Sequence, residues 1–294
     1  MTKHVAVMTD SNSGLTIEQG RELGVKVLPM PVIIGDDVYY EDVNLDHESF
    51  YRHLAAGDNV FTSQPSPDVL IGMWNELLSE YDEVVYIPMS SGLSGSCQTA
   101  RMLSLDFDGR VQVADNHRIS VTMRNSVMDA VRLAEAGTDA ATICAYLERT
   151  GPESGIYIMV DTLTYLRKGG RITPAAAMLG NMLRLKPVLS IRGEKLDAFA
   201  KARNVSSACQ IMLQAISSDV ERLFGANADP ASYRIDMAYT FDYEAALQFK
   251  SQVQEAFPAH RNDIYLDRLP LSIAAHIGPG ALAVTCTGVH EFSL

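Results

Sequence analysis

The sequence is poor in the residues that staple or metallate a chain. Its 4 cysteines, Cys97, Cys144, Cys209 and Cys286, stand far apart and no two form a C-x-x-C pair. That argues against a disulfide or zinc framework and predicts buried free thiols in a reducing compartment. The 7 histidines form neither H-E-x-x-H nor any other close metal pair, so no catalytic metal is expected. There is no G-x-x-x-x-G-K-[ST] and no G-x-G-x-x-G opening the first helix, so P-loop and dinucleotide fingerprints are absent and no cofactor is expected. No uninterrupted apolar run approaches the roughly 20 residues that cross a bilayer. The first apolar stretch stops at Asp10 with no cleavage-like site after it, so no signal peptide is expected and the predicted location is cytoplasmic. Positive charge is scarce: 24 Lys and Arg against 36 Asp and Glu leave a net charge of −12. Such a surface repels phosphate backbones, which argues against nucleic acid as a general partner.

What is present is an ordinary globular composition, 294 residues of which 47% are hydrophobic, enough for one large domain or two ordinary ones. Residues 4–8 read as a buried strand running into the polar turn 9–14. Thr16 with Gln19 makes a capping-box pattern for a helix that Gly24 stops. Residues 25–28 and 31–34 are strand-like, and 46–57 form a helix capped by Asp46. Ser66 and Pro67 start a helix continued at helical spacing by Val69, Leu70, Met73, Trp74, Leu77 and Leu78. Strands at 84–87 and 111–114 alternate with helices at 118–136 and 139–149. This alternation predicts a parallel sheet with helices on both faces, in which ligands gather at the loops after the strand C-termini. The loops 9–14 and 90–96 lie there, and 62–67 is a further polar loop before a helix.

Turn residues at 151–155 predict a boundary, dividing the chain into 1–152 and 153–294. Beyond it come a strand at 156–160, a helix from Thr173 and Pro174, a hairpin of 187–191 and 196–200 around Gly193, and a long helix at 205–224. The alternation at 233–239 predicts a half-exposed strand. Asp242 caps a helix to about residue 257, and 281–287 is a last strand. The second half therefore reads as a mixed α/β sheet domain.

Particular segments carry chemistry. Residues 90–96, Ser-Ser-Gly-Leu-Ser-Gly-Ser, are small enough to approach a ligand; the following helix offers free N–H groups to an anion and Ser94 adds a hydroxyl. The alternative is a tight strand-to-helix connection with Ser96 as cap. The stretch also approximates a G-x-S-x-G nucleophile elbow, failing where Ser96 replaces the last glycine. Residues 62–67, Thr-Ser-Gln-Pro-Ser-Pro, are either a hydroxyl-lined anion site or a capped helix entry stiffened by two prolines. Residues 160–172 couple a short amphipathic helix to a Gly-Gly break. Arg167 and Lys168 suit a last helical turn, whereas Arg171 follows the break. With Arg184, Lys186, Lys201 and Arg203 they make a local basic excess in an acidic chain, either a docking face or a solvated one. Residues 276–280, His-Ile-Gly-Pro-Gly, are a stiff turn whose His276 is either structural or a donor to an anion.

In this order these segments resemble the DegV family of bacterial lipid-binding proteins: TDSNSGL at 9–15, TSQPSP at 62–67, SSGLSGS at 90–96, VDTLTYLRKGGRI at 160–172, LKPVLSI at 185–191 and HIGPGAL at 276–282. Gly14 stands where the family pattern commonly has Asp. The resemblance implies a two-domain α/β fold, an N-terminal three-layer parallel-sheet domain carrying the carboxylate-binding loops and a C-terminal mixed-sheet domain covering the acyl chain. It implies a long-chain fatty acid bound between the domains and presented to a separate fatty acid kinase, with at most transient membrane contact. It carries the carboxylate-binding roles onto Thr62 and Ser94, and polar neighbours of the head group onto Arg171 and His276. No catalytic residue is implied.

The physical reading agrees with that ligand. Burying some 14 methylenes at about 0.8 kcal/mol each is a gross gain of about 11 kcal/mol before the costs of association. The carboxylate needs donors, because an unpaired buried charge is strongly unfavourable. A competing reading is a serine hydrolase with Ser94 as nucleophile and His276 as base, which would need an orienting third group.

Overall fold

The computed structural model describes residues 4–178 and 185–290. In the first half, β1 (Val5–Asp10), α1 (Ile17–Glu22), β2 (Val25–Leu28), β3 (Pro31–Ile34), β4 (Asp37–Tyr40), α2 (His47–Ala56), β5 (Val60–Thr62), α3 (Pro67–Leu77), β6 (Glu83–Ile87), α4 (Ser96–Ser104), β7 (Val111–Val113), α5 (Ser120–Glu135) and α6 (Ala140–Thr150) follow one another. The helix starts are those expected from the caps: Thr16 and Gln19 close a capping box on α1, Asp46 accepts from Ser49 N, and Ser66 accepts from Val69 N with Pro67 in the first turn.

Strands β2, β1, β6 and β7 form a four-stranded parallel sheet in that order. Helices α5 and α6 cover one face through Met123, Val127, Ile143 and Leu147. Helices α3 and α4 cover the other through Leu70, Trp74, Cys97 and Ala100. Trp74 is fully buried and meets Tyr86 and Phe107 edge-on, with ring centroids 6.0 and 5.3 Å away. Such pairs are worth about 0.5–1.5 kcal/mol each beyond area burial. This is the expected three-layer α/β arrangement.

The second half contains β8 (Ser154–Met159), α7 (Thr164–Gly169), α8 (Pro174–Ala177), β9 (Lys186–Ile191), β10 (Asp197–Ala202), α9 (Val205–Phe224), β11 (Tyr233–Tyr239), α10 (Tyr243–Ala256), β12 (Leu266–Arg268), α11 (Leu271–Ile277) and β13 (Leu282–Gly288). Its six-stranded mixed sheet runs β10-β9-β8-β13-β11-β12. Tyr157, Met159, Ile235 and Met237 point into a core built with α9 and α10. Ile156, Ile158, Ile191 and Ala283 belong to the other face.

Some elements differ from expectation. Strand β11 is buried almost throughout, not half exposed. Both its faces are covered, and the buried carboxylate of Asp236 accepts from Asn125 Nδ2 of α5 at 2.8 Å. Strands β4, β5 and β12 and helix α11 carry no signal in the sequence. The β4-β3-β5 antiparallel sheet packs with α2 and α11, Val32, Ile34 and Phe50 touching one cluster with Leu271 and Ala274. The 276–280 segment is not wholly a turn, because His276 lies in the last turn of α11.

Candidate functional site

The loops after β1, β5 and β6 face the side of the six-stranded sheet that α9 and α10 leave uncovered, with α7 and α11 beside them. Between them lies a cavity of about 320 Å³ whose wall includes Thr62, Ser94, Arg171 and His276. That volume is within the range of small-molecule sites. The four residues singled out from the sequence thus share one wall, drawn from four separate segments.

Thr62 is the last residue of β5, and its Oγ1 is 2.8 Å from His276 Nε2, across 214 residues of sequence. Burial, and then the Arg171 guanidinium, push the His276 pKa down to about 4, so the ring is neutral near pH 7. The ring packs closely against Gly169, where a Cβ would collide with Nδ1. That close approach requires a glycine at the end of α7. Arg171, just past the Gly170 cap, donates from Nε to Leu93 O at 3.4 Å and from Nη1 to Gly169 O. It therefore ties the 90–96 loop to the end of α7.

Ser94 Oγ accepts from Ser96 N at 3.2 Å, which leaves its hydroxyl proton free. Ser96 does not cap α4. Gly95 occupies the cap position with no side-chain hydrogen bond, and Ser96 begins the helix. Of the first-turn N–H groups of α4, that of Ser96 is answered by Ser94 Oγ, and the cap residue Gly95 has no side chain to answer another. The loop itself is seated on the β9–β10 hairpin: Ser90 Oγ donates to Gly193 O, and a side chain at Gly92 would strike that same carbonyl. In the 62–67 loop Ser66 is spent on capping α3, while Gln64 Oε1 accepts from Thr99 of α4 at 3.0 Å.

The first polar loop is a buttress. Asp10 is buried and accepts from Met89 N, Asn12 N and Asn12 Nδ2 at 2.8–3.0 Å. Burial pushes its pKa up to about 6 although these hydrogen bonds oppose the shift. Asn12 Oδ1 in turn accepts from Ser272 Oγ of α11 at 2.7 Å. One loop thereby locks the β6 loop and α11 together.

The basic stretch is partly spent. Lys186 pairs with Asp161, Lys168 Nζ donates to Asn59 Oδ1 at 2.6 Å, and Arg167 donates to Ala177 O. Arg203 is exposed, and Arg184 lies outside the described residues.

The apolar part of the wall is invisible to sequence reasoning. Met30, Met89, Leu93, Ile158, Leu166 and Ile191 line the cavity but carry the same signal as core residues. Among the described residues no group of three or more His, Cys, Asp or Glu could hold a metal ion, and no helix is long and apolar enough to cross a membrane.

A family model described as "Uncharacterised protein, DegV family" matches residues 4–288. A DegV domain-containing protein of Deinococcus radiodurans is 31% identical over 281 residues, 95% of this chain and 97% of that protein. Among solved structures, a fatty acid-binding DegV family protein of Thermus thermophilus matches with a TM-score of 0.87 and 29% identity, over 97% of this chain and 100% of that one. A fatty acid-binding DegV family protein of Streptococcus agalactiae matches with a TM-score of 0.84 and 26% identity, over 97% of this chain and 99% of that one.

Proposed function

This chain belongs to the DegV family, and from that premise we propose that it binds a long-chain fatty acid in the cavity between its two halves and presents the carboxylate to a fatty acid kinase. The observation that carries the reading is the convergence of Thr62, Ser94, Arg171 and His276 on the wall of an otherwise largely apolar cavity. An acid with one charged end and a long tail matches that division.

The chemistry at the head group is hydrogen bonding, not attack. With its proton on Nε2, the neutral imidazole of His276 donates to Thr62 Oγ1, and the Thr62 hydroxyl proton is then free for a carboxylate oxygen. Ser94 supplies the second hydroxyl, and the start of α4 beside it favours negative charge. Arg171 adds a cation close by. A hydrolase would need His276 on Ser94 and a carboxylate orienting the ring. Here Nε2 lies on Thr62, and no carboxylate oxygen lies within 4.0 Å of the ring nitrogens among the described residues. This arrangement does not support Ser94 as a nucleophile. The kinase, in this reading, docks on some of the cations of the basic stretch, Arg167, Lys168 and Arg203 among them.

Organic extraction of the purified protein followed by mass spectrometry tests the ligand. Co-purified, non-covalent long-chain fatty acid is the expected result. Covalent labelling of Ser94 by a fluorophosphonate probe, with ester turnover, would replace this reading by the hydrolase.

A further inference from the structure

One residue of the cavity wall carries a hydroxyl that nothing among the described residues uses. Ser120 opens α5, is only 6% exposed, and its Oγ has no hydrogen-bond partner among the described residues. It sits at φ +55°, in the left-handed region that non-glycine residues rarely enter, and His117 just before it is at φ +56°. The segment is held rigidly in that shape. Arg118, buried between the two, donates to the carbonyls of Gly151 and Thr150 and to Ser126 Oγ at 2.6–3.2 Å. A buried hydroxyl without a partner is costly and calls for an explanation.

A second hydroxyl on the same wall complements it. Thr285 of β13 lies opposite Asp236, whose carboxylate reaches Asn125 of α5, so Thr285 sits on the sheet face that α5 covers. Its Oγ1 donates to Asp236 O at 3.3 Å, leaving its lone pairs able to accept. Ile119 and Ile156, their sequence and strand neighbours, line the cavity too, so these hydroxyls interrupt an apolar surface. Neither belongs to the head-group set.

We propose that Ser120 and Thr285 form a second polar station on the tail-binding wall, which receives a hydroxyl carried along the acyl chain. The ligand hydroxyl accepts from Ser120 and donates to Thr285. The proposal rests on the fatty acid reading and deepens it: the substrate class becomes hydroxylated as well as plain long-chain acids.

The test measures dissociation constants for stearic acid and a positional series of monohydroxystearic acids, by displacement of a fluorescent fatty acid. The wild-type chain is compared with Ser120→Ala and Ser120→Gly; the glycine variant also relieves the left-handed backbone. The readout is the ratio of constants within each protein, so a general loss of fold cancels. One position of the hydroxyl is expected to be favoured over the others about tenfold in the wild type, and the preference should vanish in both variants. Equal discrimination against every isomer in all three proteins overturns the station while leaving fatty acid binding intact. Failure of the wild type to bind stearic acid itself would overturn both.

Discussion

The four-stranded parallel sheet spends both of its faces on its own helices, α5 and α6 on one side and α3 and α4 on the other. The six-stranded sheet spends one face on α9 and α10, and part of the other, including Ile156, Ile158, Ile191 and Ala283, lines the cavity. The contributions to the site are correspondingly unlike. The parallel sheet offers polar loops at its strand C-termini, where helix starts and short side chains supply donors. The mixed sheet offers a wall of branched apolar side chains, with Arg171 and His276 at its margin. In the proposed function, the unfilled but walled sheet face holds the long apolar chain, and the fully packed sheet holds its loops still.

That contrast breaks first if the wall is filled. Ala283→Phe projects a ring from β13 into the cavity. Excluding about four methylenes should cost about 3 kcal/mol, near two decades in affinity for a long-chain acid. A titration series of chain lengths checks it, and equal losses for short and long acids would show that the six-stranded face does not hold the tail.

The loops are tested next. Thr62→Ala or Ser94→Ala should each weaken fatty acid binding by about 1–3 kcal/mol, the usual loss when a charged acceptor is deprived of a donor. Calorimetric titration of both single variants and the double measures it. Affinities unchanged in both single variants would remove the head group from these loops.

A third test uses pH to set two buried groups of the second half against each other. Asp267, in β12 at the edge of the six-stranded sheet, is buried, and burial pushes its pKa up to about 8. The folded chain then holds a proton between about pH 4 and pH 8 that the unfolded chain has lost, so stability falls as pH rises through that window, by up to about 1.4 kcal/mol per pH unit. His276 acts oppositely: its folded pKa lies below the ordinary value, so its contribution rises with pH between about 4 and 6.5. Denaturation midpoints against pH should flatten above pH 6.5 in Asp267→Asn. A slope identical to wild type there would contradict the assignment.

The smallest effects belong to the surface. Reversing Lys168 or Arg203 to Glu should leave lipid affinity unaltered and slow association with the cognate kinase by about a decade or less, with a weaker salt dependence. If kinase-coupled acyl-phosphate production and its salt response survive every reversal, these cations form a solvated face.

Much of the fold is legible in the amino-acid sequence. Caps at Thr16, Asp46, Ser66 and Asp242 place helix starts because a side-chain oxygen answering an orphan N–H is a local event. Short strands are legible only in part: β2, β3 and β7 show in the sequence through their valines and isoleucines, whereas β4, β5 and β12, of three or four residues each, do not. Strand β11 misleads because its alternation is genuine while both of its faces are covered.

The division between sequence and tertiary structure follows the range of the forces. Periodicity, caps and the ordered motifs determined the parallel first half, the mixed second half and the family, and singled out the polar residues at 62, 94, 171 and 276. Only the folded chain decided that Thr62 meets His276 across 214 residues, that Gly169 lets the imidazole lie against it, that Ser96 forgoes the cap, and that certain isoleucines line space while others fill it. An isoleucine in a packed core and one on a cavity wall obey the same local rules, and what separates them is whether a distant segment arrives to close the gap.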